Sequence, residues 1–332
     1  MKVSIIGAGS WGTVIAALLA KKGNDVFVWA RDPSLAEDIN KANVNSKYLK
    51  KLTLPKNVSG SSDIEEVMKD SELAVLAVPS HAMRDLIKKV KDHLDPKMPI
   101  VSLAKGLEVD SRLRMTEVIK DEIDERFHKN VAALSGPNHA EEVADEIPSA
   151  TVIAAYDSDV ASYLQSIFMS PYFRVYTSSD IIGVEMGGVS KNVIAIATGI
   201  SDGLGFGDNT KASLMTRGLA EMIRLGTAAG AKAETFSGLS GLGDLVVTCT
   251  SKYSRNRALG EFLGKGKTLD DYKAESSMVA EGANGCLAIE DIAEQKGIEM
   301  PINHAVVEVI YKQRPPLDCV QSLMGRGPKT EG

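Results

Sequence analysis

The sequence predicts an α/β domain built on a doubly wound parallel sheet, followed by an all-helical domain. In the first half, short apolar runs alternate with amphipathic helical patterns, as expected for strands buried on both faces of a parallel sheet. Beyond residue 180, helical stretches and glycine-rich loops continue without a convincing strand. The chain of 332 residues is also longer than a usual single domain. We therefore predict two domains, residues 1–180 and residues 181–332.

Each element is predicted from its own local pattern. Near-continuous apolar runs predict the strands, which are Val3–Ile6, Val26–Trp29, Leu73–Val78, Ile100–Leu103, Val131–Leu134, Thr151–Ala155 and Arg174–Tyr176. Amphipathic or helix-forming stretches predict the helices, which are Thr13–Lys22, Ser34–Asn40, Arg84–His93, Ile181–Thr198, Lys211–Ala229, Leu287–Lys296 and Asn303–Lys312. The last helix follows Pro301, and proline is common near helix starts.

The composition is that of a globular protein and excludes several classes. Apolar residues make up 44% and charged residues 25% of the chain, which argues against disorder or a fibre. With 38 basic and 44 acidic residues the net charge is −6, which argues against a non-specific nucleic-acid binder. No apolar run approaches the ~18 residues that would indicate membrane insertion.

Cysteine usage indicates a reducing compartment. Cys249, Cys286 and Cys319 are odd in number and widely spaced, so neither a disulfide framework nor a structural zinc site is predicted. The N-terminal apolar run is broken by glycine too early for a secretory signal. We therefore expect a cytoplasmic protein without a metal site.

A glycine motif follows the first predicted strand. Residues 7–12 read GAGSWG and fit G-x-G-x-x-G, between a strand and an amphipathic helix, as a Rossmann dinucleotide site requires. Gly7 permits the tight turn, Gly9 lets the backbone approach a pyrophosphate, and Gly12 lets helix and strand pack closely. The pyrophosphate would lie on free N–H groups at the helix N-terminus. The alternative is a glycine-rich turn that binds no nucleotide.

The end of the second predicted strand bears on the choice between NADP and NAD. An NAD-preferring site carries an acidic residue there to hold the ribose 2′-OH. In this chain the position falls near Ala30, followed by Arg31, and an arginine without a carboxylate suits a 2′-phosphate. NADPH is therefore favoured, although Asp32 competes for the same role and Arg31 has the alternative of a solvated surface charge.

A lysine lies on a ridge of small residues in the second half. Gly187, Lys191, Ala195 and Gly199 are four apart and share one side of a predicted helix. Small neighbours leave room for a ligand over the ammonium group, and a partly desolvated lysine has a lowered pKa that suits proton exchange near neutrality. Alternatively, the ridge only lets two helices approach closely while Lys191 reaches solvent.

Two further clusters carry polar chemistry. Asp244 is a single carboxylate in an apolar, glycine-rich stretch, where it could pair with a lysine, orient a substrate hydroxyl or cap the following helix. Residues 251–257 read SKYSRNR, and Arg255 with Asn256 could grip a small phosphate by bidentate contact. The alternative for this cluster is a basic surface loop.

Other candidates follow strands of the first domain. Ligands of open α/β sheets bind beyond the carboxyl ends of the strands, so Lys105 and Gly136 lie at the edge that faces a nicotinamide. His81 and His139 occupy similar positions, but a lone histidine is more often a hydrogen-bonded structural residue.

These motifs, taken together, resemble those of the bacterial-type NAD(P)-dependent glycerol-3-phosphate dehydrogenases. The resemblance covers nearly the whole chain in order, through GAGSWG, AVPSHAMR, SLAKGLE, LSGPNHAEEV, GGVSKNVIAIATGISDGLGFGDNTKA, FSGLSGLGDLVVTCTSKYSRNRALG and VAEGANG. It implies a Rossmann domain joined to an all-helical C-terminal domain. The implied reaction is the reversible reduction of dihydroxyacetone phosphate to sn-glycerol 3-phosphate, a phospholipid precursor, with NADPH/NADP or NADH/NAD. Related enzymes are often homodimers.

The resemblance also assigns roles by position. Lys191 is implied as the proton donor to the carbonyl oxygen, Lys105 as a second lysine that stabilises the alkoxide, and Asp244 as the residue that orients the substrate with Thr248. Further implied substrate positions are Gly136, Ser254, Arg255 and Asn256. Implied cofactor positions, besides the glycine loop, are Ser10, Trp11, Arg31, Lys105, Ala140, Arg255, Val279 and Glu281.

Two departures and two alternatives remain. Asn138 stands where a small hydroxyl residue is frequent, which leaves a contact there open, and Val14 replaces a frequent alanine behind the glycine loop. A dehydrogenase of the same architecture acting on a hydroxy acid, such as 3-hydroxyisobutyrate or 6-phosphogluconate, is one alternative. A non-catalytic NADP-binding sensor is the other, and it predicts cofactor binding without turnover.

Overall fold

The computed structural model describes residues 1–275, 280–328 and 330. The chain forms two compact units, one of Met1–Glu108 with Leu113–Glu185 and one of Val109–Arg112 with Met186 to the C-terminus. This division lies a few residues beyond the predicted boundary at residue 180. The first unit is a Rossmann-type α/β domain and the second is helical, so the predicted fold class is confirmed.

The first unit is built on an eight-stranded sheet. Its strands lie in the order β10-β9-β8-β7-β6-β1-β2-β5, and β3 and β4 form a separate antiparallel pair. Every predicted strand is present. The strands are β1 (Lys2–Ile6), β2 (Asp25–Trp29), β3 (Val44–Asn45), β4 (Leu49–Thr53), β5 (Val58–Ser61), β6 (Leu73–Leu76), β7 (Ile100–Ser102), β8 (Val131–Ser135), β9 (Ser149–Ala155) and β10 (Phe173–Ser178).

The sheet differs from the sequence expectation in two ways. The strands β3, β4 and β5 carry no long apolar run, because β4 contains two lysines and β5 is a short edge strand with glycine and serines, and the sequence pattern therefore missed them. Within the sheet, β9 runs antiparallel to β8, whereas the other neighbouring pairs are parallel. A parallel return needs a helical crossover, and the helix between β8 and β9 has only five residues.

Helices cover both faces of this sheet. Alternate residues of β1 enter two different apolar layers, because successive side chains of a strand point to opposite faces: Ile5 packs in one layer with Leu19, and Ile6 packs in the other with Ile87. The helices are α1 (Ser10–Lys21), α2 (Pro33–Ala42), α3 (Ile64–Met68), α4 (Met83–Val90), α5 (Met115–Glu122), α6 (Ala140–Ala144) and α7 (Ser158–Phe168).

The second unit has no strand among its described residues. Its helices are α8 (Ile181–Gly203, which begins in the first unit), α9 (Asp208–Ala228), α10 (Asp244–Thr250), α11 (Arg255–Gly264), α12 (Leu269–Glu275), α13 (Glu281–Lys296), α14 (Pro301–Tyr311) and α15 (Pro316–Met324). In the described part of the chain, α8 alone is long and apolar enough to cross a membrane, and 94% of its apolar window is buried inside the protein. Buried core helices of globular proteins show the same pattern.

Candidate active site

The three glycines of the loop after β1 have different surroundings. Gly7 has a φ of +123°, and a Cβ there would lie 2.5 Å from the carbonyl oxygen of Ala77. A Cβ on Gly12 would lie 2.1 Å from the carbonyl oxygen of Gly7, whereas a Cβ on Gly9 would meet nothing within 4 Å. Packing therefore requires Gly7 and Gly12, and Gly9 leaves the open approach that a pyrophosphate needs.

The N-terminus of α1 fits an anionic group. Gly9 is the N-cap residue, and no side chain caps the helix in the described structure. N–H groups of a first turn that lack a cap, together with the helix dipole, form an anion site. Ser10 is buried at this turn, and the Trp11 ring lies 6.2 Å from the Phe173 ring. The chemistry of the turn therefore suits the phosphates of a dinucleotide.

Asn45 supports the glycine loop and was not found by sequence reasoning. Its side chain is fully buried and donates to the carbonyl oxygen of Ala8 at 2.9 Å and to Thr13 Oγ1 at 2.7 Å. Thr13 in turn donates to the carbonyl oxygen of Gly9 at 2.8 Å. The sequence shows only an asparagine in a short polar segment. Its burial and its partner Ala8, 37 residues earlier in the chain, are evident only in the tertiary structure.

At the end of β2 the two candidate specificity residues are in different states. Arg31 is exposed. Asp32 caps α2, because its Oδ1 accepts from the Ser34 N–H at 3.1 Å and from the Ser34 hydroxyl at 2.8 Å. These hydrogen bonds hold the pKa of Asp32 below its usual value. Asp32, the predicted competitor for the ribose 2′-OH, thus already uses one carboxylate oxygen in capping α2.

Lys105 and Gly136 come together beyond β7 and β8. The Lys105 ammonium donates to the carbonyl oxygen of Gly136 at 2.8 Å. Ala140 is buried at the start of α6, four residues after Gly136, and the Asn138 side chain donates to the carbonyl oxygen of Ala150 at 2.8 Å. His81 is exposed. The first unit therefore places the two predicted substrate residues of this edge in direct contact.

Lys191 is buried in the second unit and is paired. Its Nζ donates to Asp244 Oδ1 at 2.9 Å and to Thr248 Oγ1 at 2.7 Å. The exposed fraction of the side chain is 8% for Lys191 and 1% for Asp244. Thr248 also donates to the carbonyl oxygen of Asp244 at 2.6 Å. Lys191 is therefore a buried, hydrogen-bonded ammonium group and not a solvated surface charge.

The small ridge of α8 also brings helices close together. A Cβ on Gly187 would lie 2.5 Å from the carbonyl oxygen of Ser240, and one on Gly199 would lie 2.0 Å from that of Arg257. Both interpretations of the ridge therefore apply in part: the glycines permit close helix packing, and the lysine between them does not reach solvent.

The phosphate candidates surround the start of α11. Ser254 caps this helix by accepting from the Arg257 N–H at 3.2 Å, and Arg255 is its first residue. Asn256 is buried, donates to Asn192 Oδ1 at 2.9 Å and accepts from the Gly282 N–H at 2.9 Å. Asn256 thereby joins the residue after Lys191 to the first turn of α13. A half-buried arginine at a helix N-terminus has the charge and donors for a phosphate.

The remaining predicted positions are Glu281 and Val279, and a thiol lies next to Thr248 in the chain. Glu281 is the first residue of α13 and half-buried. Val279 lies outside the described residues. Cys249 follows Thr248, and burial raises the pKa of its thiol to about 12. This thiol therefore stays protonated near neutral pH.

A glycine loop on a Rossmann sheet and a buried lysine–aspartate pair in a helical unit define the class as a nicotinamide-dependent oxidoreductase. Two family models match the chain: the N-terminal model of NAD-dependent glycerol-3-phosphate dehydrogenase over residues 2–161 and its C-terminal model over residues 180–321. The chain belongs to the NAD-dependent glycerol-3-phosphate dehydrogenase family, and its cofactor is NAD(P), as predicted.

Individual relatives agree with this family. The chain is 49% identical to "Glycerol-3-phosphate dehydrogenase [NAD(P)+]" of Moorella thermoacetica over 99% of this chain and 96% of that protein. The crystal structure of glycerol-3-phosphate dehydrogenase from Coxiella burnetii matches with a TM-score of 0.93 and 36% identity, over 98% of this chain and 99% of the other. The Plasmodium falciparum glycerol-3-phosphate dehydrogenase structure matches with a TM-score of 0.89 and 26% identity, over 99% and 97%.

The contact between Asn45 and the glycine loop leads to a prediction. In Asn45→Asp a buried carboxylate replaces the amide, so both donated hydrogen bonds are lost. We expect the Kd for NADPH to rise about tenfold or more, because loss of these bonds, each worth roughly 1–3 kcal/mol, lowers the fraction of the free loop that is in the conformation for binding the pyrophosphate. Fluorescence titration measures this Kd. The control is Asn40→Asp, whose exposed side chain bonds to Gly60 away from the loop. Equal Kd values in the two variants would contradict the role of Asn45.

Proposed function

We propose that this protein catalyses the reversible NAD(P)H-dependent reduction of dihydroxyacetone phosphate to sn-glycerol 3-phosphate, with Lys191 as the general acid. The observation that supports this proposal most strongly is the buried contact of Lys191 with Asp244 and Thr248. A carbonyl reduction needs one hydride and one proton, and a confined ammonium group can deliver the proton to a bound substrate. The product would serve as a precursor of glycerophospholipids.

In the proposed mechanism the chain binds, orients and protonates the substrate. The reduced nicotinamide, when bound, supplies the hydride for C2. Lys191 donates a proton from Nζ to the carbonyl oxygen as negative charge develops there, and accepts it in the reverse reaction. Asp244 and Thr248 hold the Lys191 amine in place by hydrogen bonds and so restrict the rotation of its long side chain. This restriction lowers the entropy cost of aligning the amine with the substrate. Lys105 stabilises the developing alkoxide by its charge.

The remaining predicted residues bind the substrate phosphate and the cofactor. Arg255 and Asn256 hold the substrate phosphate, with Ser254 and Gly136 beside the substrate. Binding energy from this remote phosphate aligns the carbonyl for reaction. The cofactor positions proposed besides the glycine loop are Ser10, Trp11, Arg31, Lys105, Ala140, Arg255, Val279 and Glu281.

The proposal is tested by initial rates of NADPH oxidation, followed by absorbance. Rapid turnover with dihydroxyacetone phosphate, but not with unphosphorylated dihydroxyacetone, would support both the activity and the need for the phosphate. Binding of NADPH without turnover of either compound would contradict the proposal. A panel of hydroxy acids would then distinguish the two alternatives, a different dehydrogenase and a non-catalytic sensor.

We also propose a preference for NADPH that depends on Arg31. Its exposed guanidinium can pair with a 2′-phosphate, while Asp32 is engaged in capping α2. In Arg31→Ala we expect the Kd for NADPH to rise by roughly tenfold or more, as for loss of a charge-assisted hydrogen bond. The Kd for NADH, measured on the same variant, serves as the control and should not change. An equal rise for both cofactors would contradict a 2′-phosphate contact.

A further inference from the structure

Arg84 forms an ion-pair network that includes the loop carrying Lys105. Its guanidinium holds both carboxylate oxygens of Glu108, with Nε to Oε1 at 2.8 Å and Nη2 to Oε2 at 2.7 Å. The remaining Nη1 donates to Asp121 and to Glu122, each at 2.6 Å. One arginine at the start of α4 therefore joins three segments: α4 itself, the C-terminal end of α5 and the loop after β7.

This network is partly shielded from solvent, which strengthens its bonds. The exposed fraction is 23% for the Arg84 side chain and 19% for Glu108, whereas Asp121 is 56% exposed. Bidentate arginine–carboxylate pairs fix direction as well as distance. The hydrogen bonds that Arg84 donates to Glu108, and then to Asp121 and Glu122, hold its pKa well above the usual value. Arg84 therefore keeps the positive charge on which these ion pairs depend.

Glu108 is the only one of the three carboxylates that lies in the Lys105 loop. It follows Lys105 by three residues, and the residues between them, Gly106 and Leu107, are buried. The base of the loop is closed by the Glu108 N–H bond to the Leu113 carbonyl oxygen at 3.0 Å. The loop thus leaves the sheet at the end of β7 and is anchored again at Glu108, so little slack remains around Lys105.

We propose that Glu108, held by Arg84, is a positioning residue that aims the Lys105 ammonium at the carbonyl oxygen of Gly136 and at the substrate. This inference rests on the proposed role of Lys105. A purely structural link between α4 and α5 is already made by Asp121 and Glu122, which also compensate the arginine charge. The bidentate bond from Arg84 to Glu108 adds a further restraint, which ties the Lys105 loop to α4.

The test compares Glu108→Ala with the matched control Asp121→Ala, since each variant removes one carboxylate partner of Arg84. We expect Glu108→Ala to lower kcat for dihydroxyacetone phosphate by about tenfold or more, because small misplacements of a reacting group cost up to about 10² in rate. The kcat of Asp121→Ala should stay within about twofold, and the Tm of Glu108→Ala should fall further than that of Asp121→Ala, because Glu108 is less exposed and makes two bonds to Arg84. Equal losses of kcat in the two variants would overturn the proposal.

Two further measurements separate this inference from the proposed role of Lys105. Competitive acetylation with mass spectrometry reports the exposure of the Lys105 amine directly, and the rate should rise in Glu108→Ala but not in Asp121→Ala. In a Lys105→Ala background, Glu108→Ala should lower kcat no further, whereas additive losses would show that Glu108 does not act through Lys105. If Lys105→Ala turned over normally while Lys105 was acetylated faster in Glu108→Ala, the role of Lys105 in the reaction would be contradicted. The positioning of its amine by Glu108 would still stand.

A conservative variant guards against a folding defect. Glu108→Gln keeps the size of the side chain and one neutral acceptor for Arg84. We expect it to restore part of the kcat and of the acetylation protection that Glu108→Ala loses. Full loss of kcat in Glu108→Gln together with unchanged acetylation of Lys105 would overturn the proposal.

Discussion

In Lys191→Ala, kcat for reduction of dihydroxyacetone phosphate is expected to fall by about 10²–10⁴-fold, the usual contribution of a general acid. The variant lacks the ammonium group that contacts both Asp244 and Thr248. The glycine loop that we propose for the pyrophosphate lies in the other unit, so the Kd for NADPH should stay nearly unchanged. Steady-state rates and a cofactor titration measure the two quantities.

The same substitution also removes the ammonium partner of the buried Asp244 carboxylate. Removing one member of a buried ion pair costs roughly 3–5 kcal/mol, so the Tm of Lys191→Ala should fall. The double variant Lys191→Ala/Asp244→Asn also removes the carboxylate charge and should recover Tm but not kcat. Lys211→Ala is a matched control, because Lys211 pairs with Asp202 at 2.7 Å and Asp202 keeps Arg257 as a second partner. Substantial turnover in Lys191→Ala would contradict the assignment.

In Arg255→Ala, the KM for dihydroxyacetone phosphate is expected to rise by roughly 10- to 150-fold. This range corresponds to about 1.5–3 kcal/mol for loss of a hydrogen bond to a charged group. Arg255 is the first residue of α11, and among the described residues no hydrogen bond or ion pair of its guanidinium is present. Initial rates over a range of substrate concentrations measure the effect.

The control for this prediction is Lys252→Ala. Lys252 belongs to the same basic segment but is exposed, with its ammonium 5.2 Å from the centre of the Tyr253 ring. A general effect of positive charge near the site would raise KM similarly in both variants. A specific phosphate contact would raise KM in Arg255→Ala alone. An unchanged KM in Arg255→Ala would show that the phosphate binds elsewhere.

Local patterns predicted the sheet and the glycine loop well, but missed strands that lack an apolar run. The residues of β1 and β6 are buried on both faces, so their composition alone indicates a strand. The pair β3 and β4 is partly exposed and lysine-rich, and its local composition resembles a loop. Asn45 was missed for the same reason, although it is fully buried and supports the predicted cofactor loop.

The sequence by itself determined the residues whose role depends on the local backbone. Gly7 and Gly12 are required where strand turns into helix, and their spacing identifies that turn before any contact is known. The order of apolar runs and helices likewise determined the fold class, because the burial of a strand or of a helix face is written in its own composition and period.

Only the tertiary structure decided which side chains meet. Lys191 and Asp244 are 53 residues apart, and Arg84 and Glu108 are 24 apart. Whether such groups pair depends on how closely their helices pack, as where Gly199 leaves room for the Arg257 backbone. The spacing of Lys191 was equally compatible with a solvated lysine, and burial against Asp244 decided between the two. Pair contacts of this kind depend on distances across the fold, which the sequence of one element does not contain.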